Sequence, residues 1–178
     1  PIGVVGAISP WNYPLANTIW KIGPALVTGN TMVLKPAETT PLTAVRLAEL
    51  AAEVLPPGVF NVVVGHGDPV GRALVTHPQV DMVALTGSTA TGKWVAEQCA
   101  GLGRRAHLEL GGKAPVVVLA DADLELTCAG IAGGAYFNAG QDCTAATRVI
   151  AAAEIYDDVV EGLSRETEKL RMGDPLDP

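Results

Sequence analysis

The chain has 178 residues, 48% of them hydrophobic and 17% charged, with a formal net charge of −7 and a pI near 4.8. That is enough apolar material for a real core and a length typical of about one domain, while the acidic balance leaves no basic surface for a phosphate backbone and excludes nucleic acid as a partner. No apolar run reaches the ~18 residues needed to cross a bilayer and no basic n-region precedes an apolar one, so the chain reads as cytoplasmic with no membrane partner.

In chain order, Ile2-Gly3-Val4-Val5-Gly6-Ala7-Ile8 is a short apolar run of β-branched character, as expected of a strand buried on both faces. Pro10-Trp11-Asn12-Tyr13-Pro14 breaks it. A helix is expected from about Leu15 to Val27, ended by Gly29-Asn30, then a second strand over Thr31–Leu34. Thr40-Pro41 reads as an N-cap with proline at the first helical position, and Leu42, Val45, Leu47, Ala48, Ala51, Ala52 and Leu55 form the apolar face of the helix that follows. Val59–Val64 is a third strand, Asp68-Pro69 caps a helix running to about Thr76, and Met82–Leu85 is a fourth strand. Strict alternation of strand and helix predicts a Rossmann-like α/β fold, a parallel sheet with helices on both faces. Ligands of such sheets sit beyond the carboxyl ends of the strands, where Asn12, Glu38, Gly65 and Ser88 should gather.

After Gly112 the pattern changes. Val116–Leu119 is a strand, Asp121-Ala122-Asp123 starts a Gly/Ala-rich helix, Val149-Ile150-Ala151 is a further strand, and a polar helix runs from about Tyr156 to Met172. The boundary falls near Leu110-Gly111, giving a first domain over 1–110 and the start of a second α/β domain over 111–178. The chain begins at Pro1 without methionine and ends on Asp174-Pro175-Leu176-Asp177-Pro178, which reads as a linker and the chain as a piece of a longer one.

Several stretches carry chemistry. Cysteines stand at 99, 128 and 143; an odd number without C-x-x-C spacing implies neither a disulfide framework nor a metal site. Cys143 lies in Asn138-Ala139-Gly140-Gln141-Asp142-Cys143-Thr144, a small-residue turn where a substrate carbonyl can approach a thiol closely. Gly87-Ser88-Thr89-Ala90-Thr91-Gly92-Lys93 follows a strand and opens a helix, a place that favours an anion; Trp94 stands where a P-loop needs Ser or Thr, which disfavours a nucleotide triphosphatase. Gly65-His66-Gly67-Asp68-Pro69-Val70-Gly71 is one residue away from dinucleotide spacing, and helix capping explains either stretch equally well. Lys35 and Glu38 share one loop; the carboxylate can accept from both hydroxyls of an unphosphorylated ribose, or the two can be a solvated pair. Glu109, between apolar residues at a strand's end, is costly to bury without a partner. His66, His77 and His107 show no triad or metal spacing and read as structural.

Pro10-Trp11-Asn12, Lys35-Pro36-Ala37-Glu38, Leu85-Thr86-Gly87-Ser88-Thr89, Leu108-Glu109-Leu110-Gly111-Gly112-Lys113 and Gly140-Gln141-Asp142-Cys143, in that order, resemble the middle section of an NAD-dependent aldehyde dehydrogenase. Tyr136 to Arg148 is most similar to the γ-aminobutyraldehyde dehydrogenase branch. The resemblance implies that Cys143 is the nucleophile, that Asn12 and the Cys143 backbone amide stabilise the oxyanion, that Glu109 is the base for thioester hydrolysis and that Lys21 relays its proton. It further implies NAD as cofactor, held in the 1–110 domain by Trp11, Lys35, Glu38, Gly71, Gly87, Ser88, Gly92 and Leu110. Tyr13, Trp20 and Phe137 match the aromatic wall of the family's aldehyde tunnel, with Asp142 beside the nucleophile, which suits an ω-amino aldehyde: γ-aminobutyraldehyde, or alternatively betaine aldehyde or a broad range of aldehydes. The family also implies a homodimer or homotetramer. The competing expectation is a truncated remnant that holds NAD without oxidising aldehydes.

Overall fold

The computed structural model describes residues 1–174 and 176, which divide into two compact units between Gly111 and Gly112. The first holds a parallel sheet of five strands: β1 (Val4–Ile8), β2 (Thr31–Lys35), β3 (Phe60–Val62), β4 (Met82–Gly87) and β5 (Arg105–Leu110), in the order β3-β2-β1-β4-β5. Its helices are α1 (Pro14–Val27), α2 (Leu42–Ala52), α3 (Arg72–Thr76) and α4 (Thr89–Gly101). Chain order reverses between β1 and β4, so the crevice such sheets use for ligands opens past Ile8 and Gly87.

Residue alternation along the strands decides what each helix covers. Val5 and Ala7 of β1, Met32 and Leu34 of β2, and Ala84 of β4 pack with Ile22 and Ala25 of α1 and Ala44 of α2. Val83 and Leu85 point to the opposite face, where Leu74 and Val75 of α3 and Val95 and Cys99 of α4 close over them with Leu108 and Leu110 of β5. By the same alternation Arg105, His107 and Glu109 of β5 lie on the α1 side. α1 ends where Gly29 takes φ +77, and the buried Asn30 ties this corner together: its Nδ2 donates to the Ala25 carbonyl, while its Oδ1 accepts from the Gly3 amide.

Several local expectations need correction. Thr40 does not cap α2: the turn closed by its own amide on the Ala37 carbonyl leaves its hydroxyl buried, with no hydrogen-bond partner among the described residues. Leu42 and Ala52, expected on the apolar face, are exposed, and Ala44 is the helix's buried contact. Asp68 does not cap a helix either. Its backbone is extended within the turn Gly67–Gly71, so its carboxylate accepts from Arg72 Nε. β3 is shorter than expected because Gly65, at φ +149, turns the chain away after the Val63 amide has donated to Leu34.

The second unit pairs β6 (Ala114–Val118) with β7 (Ala146–Ala151) in parallel, joined through α5 (Leu124–Tyr136) and followed by α6 (Tyr156–Glu168). Val118, Ile131 and Val159 form its core, and the Asp123 side chain caps α5 by accepting from the Leu126 amide. Gly162 lets α6 approach α5: a Cβ there would stand 2.6 Å from the Cys128 sulfur. The helix ends at Glu168 rather than near Met172, where the last turn tightens into bonds from Lys169 to Glu166 and Leu170 to Thr167. Pro175, Asp177 and Pro178 of the expected linker lie outside the described residues.

Candidate active site

Beyond the carboxyl ends of β1 and β2 the first unit presents two groups of expected site residues. Trp11 is exposed, and Asn12 and Tyr13 are half-buried just before α1. Trp20, two helical turns beyond Tyr13, is exposed on the same side of α1. On the next loop Lys35 is buried at 3% exposure, its Nζ donating to the Pro36 carbonyl at 2.9 Å and lying 3.4 Å from Glu38 Oε2. The pair is therefore not a solvated one, since the cation is enclosed and only the carboxylate reaches outward. A hydrogen bond from its own backbone amide, with help from Lys35, holds the Glu38 carboxyl below its usual range. Gly71 is buried with its Cα side against the Lys35 stem and Ile8, which brings the 65–71 turn alongside and sets His66 Nδ1 3.8 Å from Glu38.

At the end of β4, Ser88 is the N-cap of α4, its Oγ accepting from the Thr91 amide at 3.1 Å. Gly87 precedes it, so the turn presents backbone N–H groups at the start of a 13-residue helix. Gly92 is held by packing: a Cβ there would come within 2.5 Å of the Leu110 side chain, so the small residue lets α4 lie on the end of β5.

A third group lies on the α1 side of β4 and β5. Lys21, 8% exposed, donates from Nζ to Thr86 Oγ1 at 2.5 Å. Thr86 is in register with Glu109 across the β4–β5 pair, and Lys21 feels the Glu109 charge. Glu109 was expected to carry a burial cost; instead its side chain is 64% exposed and lies 3.5 Å from the Nε2 of His107. No helix of the first unit covers this face of β5, which is an edge strand among the described residues.

Burial pulls the Lys21 pKa from 10.5 to about 8, with Glu109 acting in the opposite direction. The unfolded chain then holds more protons than the folded one between those two values, so this residue makes stability rise with pH from about 8 to 10.5. We expect Lys21→Met to remove that rise and to stabilise the fold at neutral pH by at most on the order of 3 kcal/mol. Urea unfolding of both proteins across the window checks this. A native-minus-variant difference that stays flat contradicts it.

In the second unit Cys143 is exposed, whereas Cys99 and Cys128 are buried free thiols. Burial pushes the Cys99 thiol up, and the Cys128 sulfur is occupied with the Val159 carbonyl at 3.8 Å; neither suits a nucleophile. Asn138, Ala139 and Gly140, at φ 51, 56 and 74, stand in succession in the left-handed region, a conformation that costs a non-glycine residue ~1–2 kcal/mol. Asn138 offsets this by donating to the Gln141 carbonyl at 3.2 Å. Asp142 Oδ1 accepts from both the amide and the hydroxyl of Thr144, each at 2.7 Å, so this carboxylate braces the turn that carries Cys143. A Cβ at Gly112 would lie 3.0 Å from the Cys143 carbonyl oxygen, and Phe137 is exposed at the end of α5.

Residues 1–178 match the family model described as Aldehyde dehydrogenase family. The chain belongs to the aldehyde dehydrogenase family. It is 52% identical over 178 residues to phenylacetaldehyde dehydrogenase of Pseudomonas fluorescens, covering 99% of this chain and 36% of that protein. With aminoacetaldehyde dehydrogenase of Pseudomonas aeruginosa it shares 49% identity over 181 residues, 100% of this chain and 36% of the relative. The crystal structure of an NAD-dependent aldehyde dehydrogenase from Sinorhizobium meliloti matches with a TM-score of 0.96 at 48% identity, over 99% of this chain and 36% of that one. The chain thus spans about a third of the length of the aldehyde dehydrogenases it matches.

Two residues of this aldehyde dehydrogenase chain escaped the sequence reading. His107 read as structural, yet two-residue spacing on a strand places it on the same face as Glu109. Thr86 had no mark of its own; a polar residue ending an apolar strand was the available cue. Of the histidines expected to be structural, His66 and His107 each face a carboxylate, Glu38 and Glu109. No helix of the described residues is long and apolar enough to cross a membrane.

Proposed function

We propose that the protein carrying this chain oxidises an aldehyde to a carboxylic acid with NAD, and that its substrate is an ω-amino aldehyde, γ-aminobutyraldehyde first and betaine aldehyde second. The observation that carries the reading is the single exposed thiol, Cys143, on a braced turn of left-handed residues, in a chain whose other thiols are buried. The residues of the first unit fit a dinucleotide. Glu38, kept ionised next to a buried ammonium, suits a ribose with free hydroxyls and opposes a 2′-phosphate; Ser88 and Gly87 offer helix N-terminal donors to a pyrophosphate. Trp11, Gly71, Gly92 and Leu110 shape the same side. When bound, NAD supplies the hydride acceptor.

The remaining steps belong to side chains of this chain. The Cys143 thiolate adds to the aldehyde carbon, forming a C–S bond and an oxyanion. The Asn12 amide and the Cys143 backbone N–H serve as its donors, each typically worth ~2.7–4 kcal/mol in the transition state. Loss of hydride from that carbon leaves a thioester on Cys143. Glu109 removes a proton from water as the water oxygen attacks the thioester; the C–S bond breaks, the carboxylic acid departs and Cys143 returns as thiolate. Lys21, whose pKa burial lowers to about 8, relays the proton that Glu109 takes up.

For the substrate class, the aromatic side chains Tyr13, Trp20 and Phe137 and the carboxylate of Asp142 suit an ammonium group. Assembly as a homodimer or homotetramer and a cytoplasmic location belong to the same proposal. The test compares γ-aminobutyraldehyde with butyraldehyde in Asp142→Asn. The kcat/KM ratio should fall about tenfold in the variant, the effect of ~1.4 kcal/mol of lost charge contact. Since Asp142 also braces Thr144, butyraldehyde reports any damage to the turn. An unchanged ratio removes Asp142 as the ammonium anchor.

A further inference from the structure

We propose that His107 takes the proton that Glu109 collects during thioester hydrolysis and passes it to solvent, a proposal that rests on the reading of Glu109 as the hydrolytic base. Glu109 must lose that proton before each new turnover; its exposed carboxyl can hand it to water directly, and a base beside it speeds that transfer. Its surroundings on the α1 side of the sheet are few. Lys21 comes from α1; Arg105, His107 and Glu109 itself come from β5; β4 contributes the apolar Met82 and Ala84 and the hydroxyl of Thr86.

Lys21, protonated at neutral pH, relays that proton only by first giving up one of its own. A group with a pKa of about 8 already holds its proton there, and its Nζ is committed to Thr86. Arg105 is always charged. Imidazole is the side chain suited to accept and release protons near neutrality, and Nε2 of His107 stands 3.5 Å from Glu109 Oε1, one small side-chain rotation from a hydrogen bond. His107 is 55% exposed and lines a cleft of about 280 Å³ together with Trp20, Lys21, Met82 and Ala84. The opposite end of the imidazole can thus deliver its proton to water. In the step, the protonated carboxyl of Glu109 loses its O–H proton to His107 Nε2, which restores the carboxylate; the imidazolium then releases one proton to solvent, and no other bond changes. His107 acts through Glu109, so it is a positioning residue in the proton path and touches no reacting carbon.

The experiment is His107→Gln in the native protein, in dilute buffer. The size of the first-turnover NADH burst counts folded, acylating sites and should match native protein. Steady-state kcat should fall about tenfold, less than the ~10²-fold or more expected on losing a general base itself, with KM little changed. Added free imidazole should restore kcat in proportion to its concentration, which a merely structural defect would not allow. A native kcat in dilute buffer, or a slow variant that imidazole does not rescue, overturns the proposal. Glu109→Gln is run alongside: if its steady state is normal, the reading of Glu109 falls and His107 with it. A slow Glu109→Gln with a normal His107→Gln overturns the role of His107 alone.

Discussion

Replacing Cys143 by alanine is expected to lower aldehyde-dependent NADH formation by roughly 10⁴- to 10⁶-fold, while NAD affinity stays within about twofold, well under the ~1.4 kcal/mol that a tenfold change requires. Access and packing single out this thiol. Cys99 sits among Leu74, Val75, Val83 and Val95 between sheet and helices, and Cys128 fills the close approach at Gly162. A substrate carbonyl cannot reach either without unfolding its surroundings. Cys143 lies on an exposed turn whose shape is set by backbone and by Asp142, not by its own sulfur, so removing the sulfur leaves the turn intact. The residues proposed to hold the cofactor, Lys35, Glu38 and Ser88, belong to the other unit and keep their contacts. Stopped-flow NADH absorbance and a fluorescence titration with NAD read the two halves separately. A Cys143→Ala protein that still turns over would place the nucleophile elsewhere.

Glu109→Gln should behave differently. With Glu109 proposed as the base of the second half-reaction alone, the variant should form one equivalent of NADH at near-native rate and then proceed ~10²- to 10⁴-fold more slowly. The amide keeps the size of the side chain but cannot take a proton from water. Exposure of Glu109 on the face it shares with His107 means the substitution breaks no buried pair, so the loss reports chemistry and not misfolding. A steady-state rate equal to native removes Glu109 as the hydrolytic base.

How legible this was in the sequence depended on what the local chain alone decides. β1, β2 and β4 stood out because strands covered on both faces are apolar throughout, and Val5, Ala7, Met32, Leu34, Val83 and Leu85 are all buried. β5 was harder to delimit. Arg105-Ala106-His107-Leu108-Glu109-Leu110 half-buries only Leu108 and Leu110, and that weakly covered pattern hid the proximity of His107 to Glu109. Helix starts were misjudged at Thr40 and Asp68 because the preceding turn, not the residue type, sets where a side-chain oxygen points. The union of Lys21 with Thr86, 65 residues apart, follows from cross-strand register and from how α1 lies on the sheet, neither of which is a local property. Lys21 could be picked out only through the family resemblance. Its physical mark is nonetheless visible: a lysine on the helix face that also buries Ile22 and Ala25.

The proposed chemistry puts a covalent acyl group on one sulfur. Glu109→Gln protein, mixed with γ-aminobutyraldehyde and NAD and quenched after the burst, should carry the mass of one acyl group on the peptide containing Cys143, and lose it on treatment with hydroxylamine. An NADH burst with the Cys143 peptide unmodified, or the acyl group found on Cys99 or Cys128, would contradict the account.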